Sequence, residues 1–141
     1  MEHLGQFVSN HCQLCAALVV ILLITFVNEL YSQKKRAKEL STTAAVEMIN
    51  NEQAVVIDIR DVQAFRSGHI IHSIQATDDD FAQQRMDKYK TKPIIFVCAK
   101  GLQAPTLAAK LRTQGFTQPM VLAGGIAAWQ AANLPLIKAK K

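Results

Sequence analysis

A chain of 141 residues has room for one domain and a short appendage. Half of its residues are hydrophobic, but they are unevenly spread, and so is the net charge of +5. Lys34, Lys35, Arg36 and Lys38 form one basic cluster and Lys138, Lys140 and Lys141 another, whereas residues 41–137 hold nine Lys/Arg against eight Asp/Glu. A basic excess that flanks the domain instead of striping it argues against a nucleic-acid partner and suits an anionic lipid membrane.

Residues 1–11 form a short N-terminal segment. Residues 12–27, "CQLCAALVVILLITFV", carry no charge, and their only polar side chains are Gln13 and Thr25. As a helix they reach roughly 24 Å, and flanking Leu30 and Tyr31 extend the run toward a bilayer core of about 30 Å. A buried core helix and a cleaved signal peptide compete with this reading. Residues 1–11 have no Lys or Arg and nothing like A-x-A follows Val27, which favours a retained transmembrane helix over residues 12–31. The basic residues just after it place the bulk of the protein on the cytoplasmic face of the cell inner membrane. The span is then single-pass, with the N-terminus outside. Cys12 and Cys15 read as small residues on one face of that helix, with oxidation across a dimer or lipidation as minor options.

Residues 32–40, "SQKKRAKEL", read as a basic juxtamembrane linker that continues the helix. From residue 41 the pattern changes. "STTAAVEMINN" is a helix with a Ser/Thr start. "AVVID", 54–58, is a short apolar run that suits a buried parallel strand. "RDVQAFRSGH" is a turn and a short helix ending at Gly68, and Ile70, Ile71 and Ile74 suggest a further strand region. "DDDFAQQRMDKYK" begins with acids and ends with bases, as a helix dipole prefers. Asp78 to Asp80 is thus a helix start, not a metal site. "IIFV", residues 105–114, 120–122 and 125–132 complete the alternation as strand, helix, strand and helix. The expected fold is α/β, with a mostly parallel central sheet flanked by helices over residues 41–137 and a basic tail at 138–141.

Cys98 ends the strand "IIFV", where open parallel sheets bind ligands. Residues 98–104, "CAKGLQA", must bend between strand and helix. Gly101 permits the turn, and Pro105 suits the first helical position. Loop amides and a helix N-terminus can then converge on an anion, which favours the nucleophilic thiolate. Lys100 adds charge at the rim. An ordinary buried cysteine is the alternative. In a reducing cytosol a structural disulfide at Cys98 is disfavoured.

Four motifs in order resemble the rhodanese-like domain family. "DIR" closes the first long strand. "RDVQAFRSGHI" fits R-x-x-x-x-F-x-x-G-H-I. Cys98 with Gly101 follows, and "LAGGIAAW" fits L-x-G-G-x-x-A-W. With the N-terminal span, the architecture resembles the membrane-anchored, single-domain rhodanese-like proteins of Gram-negative bacteria. The resemblance implies a sulfurtransferase that moves sulfane sulfur through a Cys98 persulfide, from a thiosulfate-type donor to a thiol or cyanide acceptor, without metal or cofactor. It makes Cys98 catalytic and Ala99, Lys100, Gly101, Leu102, Gln103 and Ala104 the substrate-binding loop. Asp58 and Arg60 become an ion-paired scaffold, His69 a group that orients backbone, and Gly124 and Gly125 a tight entry into the last helix. Gln103 stands where many members carry Arg, and His72 where they usually show Gly. A phosphatase on the related fold would need Arg at position 104, which is Ala104. The alternative to an enzyme is a catalytically weak interaction module of the same fold at the membrane face.

Overall fold

The computed structural model describes residues 2–140, and the side chains of Glu2, Lys34 and Lys35 lie outside that description. Two of the four juxtamembrane cations and Lys141 of the tail are therefore outside the described residues. The chain divides into two compact units, Met1–Lys35 and Arg36–Lys141.

The first unit holds α1 (Glu2–Asn10) and α2 (Cys12–Lys35). The N-terminal segment is thus itself helical, which composition alone does not mark. The amides of His11 and Cys15 donate to the carbonyls of Phe7 and His11, both at 3.0 Å, so main-chain bonding continues across the break. Within α2, the 22 residues Cys12–Gln33 include an 18-residue window of mean hydropathy 2.2, none of it buried. At 1.5 Å per residue they extend about 33 Å, compared with about 30 Å of hydrocarbon. Val19, Val20, Ile21 and Leu22, successive positions about 100° apart round the helix, are each more than half exposed. A helix apolar all round needs an apolar surrounding, and this one is long and apolar enough to cross a membrane.

The second unit is a five-stranded parallel sheet. Its strands are β1 (Lys38–Leu40), β2 (Val55–Asp58), β3 (Ile74–Gln75), β4 (Pro93–Val97) and β5 (Gln118–Leu122), in the order β1-β5-β4-β2-β3. Helices α3 (Thr42–Asn51), α4 (Val62–Ser67), α5 (Asp78–Ala82) and α6 (Ala104–Thr113) fill the connections, and α7 (Gly125–Ala131) follows the last strand. Period-2 alternation splits β4 between two cores. Ile94 and Phe96 join Phe81 of α5 and Ala104, Ala108 and Leu111 of α6, whereas Ile95 and Val97 join Ala45 of α3 and Ile126 and Trp129 of α7. The expected α/β fold with helices on both faces is what forms. Ser41 caps α3 through its hydroxyl, which accepts the Ala44 amide at 3.2 Å.

Three local expectations need correction. The helical continuation over residues 32–40 stops at Lys35, and Lys38–Leu40 instead pair in parallel with Met120–Leu122. Burying Leu40 and giving its carbonyl the Ala123 amide at 2.8 Å outweighs any local helix preference. The helix expected from Asp78 ends at Ala82, because Gln84 takes a left-handed conformation (φ +58°), and only a 3₁₀ turn, Asp87–Tyr89, follows. The strand region near Ile70 contracts to Ile74–Gln75. The tail is not loose: Ile137 exchanges main-chain bonds with His69 (2.9 and 2.8 Å), and the Ala139 amide reaches the Arg66 carbonyl at 3.2 Å.

Asp80 closes the first turn of α5. Its Oδ2 accepts from the Thr77 amide (2.8 Å) and hydroxyl (3.0 Å), and its Oδ1 from Arg85 (3.1 Å). The Thr77 amide above all, then the Thr77 hydroxyl and Arg85, holds this carboxyl below its ordinary value. A depressed carboxylate stabilises the fold above the unfolded-state pKa of about 3.9, and that contribution disappears as pH falls through the folded-state value. Asp80→Asn is therefore expected to cost up to about 1 kcal/mol near pH 7. In unfolding curves the difference from wild type should begin to shrink below about pH 4 and vanish only as pH falls through the lower folded-state value.

Candidate active site

β2 and β4 pair so that Asp58 lies opposite Val97, and the chain leaves both strands on the same edge of the sheet. Cys98 follows on the side of Ile94 and Phe96 and is only 2% exposed. The loop turns around its sulfur, and the Gly101 amide donates to Cys98 Sγ at 3.0 Å. Among the described residues no backbone acceptor pairs with the amides of Lys100, Leu102, Gln103 and Ala104. These donors stand free at the start of α6, as an anion cradle requires. α6 begins at Ala104, one residue before the expected Pro105.

Two glycines let the backbone close this tightly. Gly101 has φ +80°, and a Cβ there would stand 2.7 Å from the Gly124 nitrogen. Gly125 has φ +60°, and a Cβ there would run into the Cys98 carbonyl oxygen and lie 2.9 Å from both the Ala99 carbonyl carbon and the Gly101 nitrogen. The start of α7 is thus flush against the loop. The Ile126 amide donates to the Cys98 carbonyl at 2.9 Å and the Ala127 amide to the Ala99 carbonyl at 3.1 Å.

Asp58 is buried at the end of β2. Arg60 grips its carboxylate through Nε (3.0 and 3.1 Å) and Nη2 (2.7 Å), and donates its own amide at 3.0 Å. Nη2 also donates to the Gly68 carbonyl at 2.7 Å. The guanidinium is therefore consumed by scaffold and supplies no loose charge to the loop. His69 is buried, stacked on Phe65 at 3.9 Å, with Nδ1 2.8 Å from the Phe65 carbonyl. His72 adopts φ +61°, the left-handed conformation anticipated where the family shows glycine. Lys100, Leu102 and Gln103 are exposed.

A cleft of about 740 Å³ opens beside the loop, over the carboxyl ends of the strands. Its walls are residues 59–61, Thr77 and Asp78, and the side of α6 carrying Leu107 and Lys110. Leu102 and Gln103 belong to both cleft and loop. Of this lining the sequence points to Arg60, Leu102 and Gln103 alone. Asp61 could have been found, because an N-cap acid directly after a parallel strand must stand at the carboxyl edge. Its Oδ1 does accept the Ala64 amide at 2.7 Å. Nothing local in the sequence marks Lys110.

The steric demand at Gly125 is testable by comparison with a second glycine. Gly115 also has positive φ (+99°), yet nothing lies within 4 Å of where its Cβ would be. Gly115→Ala is expected to cost the conformational strain alone, about 1–2 kcal/mol. Gly125→Ala should cost about 2–5 kcal/mol, because a clash is added to the same strain. Chemical unfolding of both variants measures the difference.

The rhodanese-like domain family model matches residues 41–132. The uncharacterized protein YibN of Escherichia coli K12 is 35% identical over 143 residues, covering 99% of this chain and 100% of that protein. The thiosulfate sulfurtransferase GlpE of Pseudoalteromonas translucida is 35% identical over 95 residues, or 67% of this chain and 90% of the relative. Among solved structures, a thiosulfate sulfurtransferase from Pseudomonas aeruginosa superposes with a TM-score of 0.64 at 22% identity, over 74% of this chain and 20% of its own. A rhodanese-related protein from Thermoplasma volcanium gives 0.63 at 19%, over 72% and 99%. These two likenesses speak for the fold, and the family match and the two relatives speak for descent: the chain belongs to the rhodanese-like domain family.

Proposed function

We propose that this protein is a membrane-tethered sulfurtransferase that carries sulfane sulfur on Cys98. The observation that supports this most is the Cys98 sulfur itself, held under the Gly101 amide at 3.0 Å, with further loop amides left without backbone acceptors. Relatives named thiosulfate sulfurtransferase share about a third of their residues with this chain. In the first step the Cys98 thiolate attacks the outer sulfur of thiosulfate. A new S–S bond forms, the old one breaks, and sulfite leaves with the electron pair. In the second step a thiol or cyanide attacks the outer sulfur of the persulfide and the Cys98 thiolate departs. Both states place negative charge on sulfur inside the loop, where preorganised N–H donors stabilise it. Lys100, exposed at the rim, attracts an anionic donor. Asp58, Arg60, His69, Gly124 and Gly125 are positioning residues that hold the loop and its surroundings. The two displacements require neither metal nor cofactor.

A rhodanese-like interaction module with little turnover is the competing reading. One residue favours it: Gln103 brings no charge to the end of the loop. Sulfur loading separates the two. After brief treatment with thiosulfate, the intact protein should gain the mass of one sulfur atom, mapped to Cys98 and removed by cyanide, and Cys98→Ser should not gain it. Wild-type protein that never takes up sulfur from thiosulfate or from a persulfide would decide for the module.

The helix Cys12–Gln33 serves in this reading as the anchor, with the N-terminus outside and the sulfurtransferase domain on the cytoplasmic face. Lys34, Lys35, Arg36 and Lys38 lie on the anionic lipid side. A reporter fused after Lys141 is expected to behave as cytoplasmic. Cleavage of the C-terminal domain by protease added to intact spheroplasts would reverse the orientation.

A further inference from the structure

The charges of residues 41–137 are nearly balanced in number, but the fold sorts them by position. In a parallel sheet the chain enters every strand at one end of the sheet and leaves it at the other. At the carboxyl end, residues 41–42, 58–61, 76–80, 98–104 and 123–125 hold five Asp against Arg60 and Lys100. At the amino end, residues 36–39, 50–54, 68–73, 87–92 and 112–117 hold Arg36, Lys38, Lys88, Lys90, Lys92 and Arg112 against Glu39, Glu52 and Asp87. The end that carries Cys98 is therefore net negative and the opposite end net positive.

The amino end is a joined surface. Thr117 donates its amide (3.0 Å) and its hydroxyl (2.9 Å) to the Lys90 carbonyl, which ties the connection before β5 to the one before β4. Lys90 is engaged in that joint. Its ammonium meets Asp87 at 2.9 Å and lies 5.8 Å over the Phe116 ring, so the carboxylate of this turn is neutralised. Lys38, Lys88, Lys92 and Arg112 are exposed. Their anion is supplied by the way the chain is built. Only Arg36 and Ala37 separate α2, with its membrane-length apolar stretch, from β1. Two residues reach at most about 7 Å, within a Debye length of about 8 Å at physiological ionic strength. In an anchored chain the start of β1 thus stays within electrostatic range of lipid headgroups. β4, at five residues, is about 17 Å long. The carboxyl end lies about two Debye lengths further on, and its sign is the one an anionic surface repels.

We propose that the amino end of the sheet docks on anionic lipid headgroups through Lys38, Lys88, Lys92 and Arg112, and that this docking turns the Cys98 end away from the bilayer. The proposal rests on the reading of α2 as a membrane anchor and is independent of the chemistry at Cys98. Lys88, Lys92 and Arg112 lie more than fifty residues from the anchor in sequence, so their contact with lipid tests the docking itself.

The test uses the full chain in lipid nanodiscs, made of phosphatidylcholine alone or with phosphatidylglycerol added. Brief acetylation marks accessible lysines, and peptide mapping by mass reads the rate at each. On the anionic discs Lys88 and Lys92 should be labelled about fivefold more slowly than on the neutral discs. Lys100, exposed at the carboxyl end, should label at the same rate on both. High salt should erase the difference at Lys88 and Lys92. Lys38→Glu/Arg112→Glu should remove most of their protection, because the surface docks as a whole. A variant that had merely unfolded would instead label faster at every lysine, Lys100 included. Equal labelling of wild type on the two discs, or a slowing that Lys100 shares, overturns the docking and leaves the anchor in place. A chain that floats with neither disc removes anchor and docking together. Protection of Lys88 and Lys92 by added RNA on neutral discs, with none from anionic lipid, would assign the surface to a soluble polyanion and equally overturn the proposal.

Discussion

The site depends on two main-chain hydrogen bonds, from the Ile126 amide to the Cys98 carbonyl and from the Ala127 amide to the Ala99 carbonyl. They turn the carbonyls of Cys98 and Ala99 toward α7 and so point the amides on the same peptide planes, those of Ala99 and Lys100, away from it. A peptide plane cannot rotate its oxygen without rotating the N–H on its other side, so anchoring the first fixes the second. The bonds form only if α7 starts in contact with the loop, and that contact leaves no volume for a Cβ at Gly125. The glycine pair and the cysteine loop, separated by more than twenty residues in sequence, are one structural unit.

The second constraint is electrostatic. Asp58 is a buried carboxylate at a strand end, and an isolated charge there would be costly. Arg60 meets it with bidentate geometry and adds its own amide, while its second contact, to the Gly68 carbonyl, ties the end of α4 to the end of β2. Buried pairs of this kind are weak sources of net stability but strict in geometry. Gln75 extends the same knot by donating to the Arg60 carbonyl at 3.0 Å. The cleft wall that follows, with Asp61 and then Asp78, is therefore held in place by a charge pair that contributes no charge of its own to the cleft.

How much of this was legible in the sequence follows from the range of each interaction. The strands 54–58 and 94–97 announce themselves by unbroken apolar runs, and Ser41 announces the helix it caps; these are local signals. Cys98 with Gly101 was legible because a strand end, a turn glycine and a helix-starting proline lie within eight residues. Lys38–Leu40 was not, since its strand exists only through pairing with β5, some eighty residues away, and its composition is that of a charged linker. The short α5 was hidden for a related reason: the left-handed Gln84 carries no glycine to mark it. The cleft was least legible, because its walls come from three separate connections and only the parallel order of β2, β3 and β4 brings them together.

Burial and reactivity pull a catalytic cysteine in opposite directions. A sulfur sealed at 2% exposure is shielded from oxidants, yet a thiolate needs compensation for the water it has lost. Here the main chain supplies a donor to it, the Gly101 amide at 3.0 Å. Side chains are then not needed for the cradle, and Lys100, Leu102 and Gln103 are all directed outward. A cradle made of backbone tolerates any sequence that preserves Gly101 and the contact with Gly125. The outward residues are left free to set which sulfur compound approaches. In this chain one of the three is a cation, one a bare leucine and one an uncharged amide, and beside them stands a cleft walled in part by Asp61, Asp78 and Lys110. In the proposed reading, the chemistry at Cys98 and the choice of its partner are carried by different atoms of the same loop, and the choice can change without disturbing the chemistry.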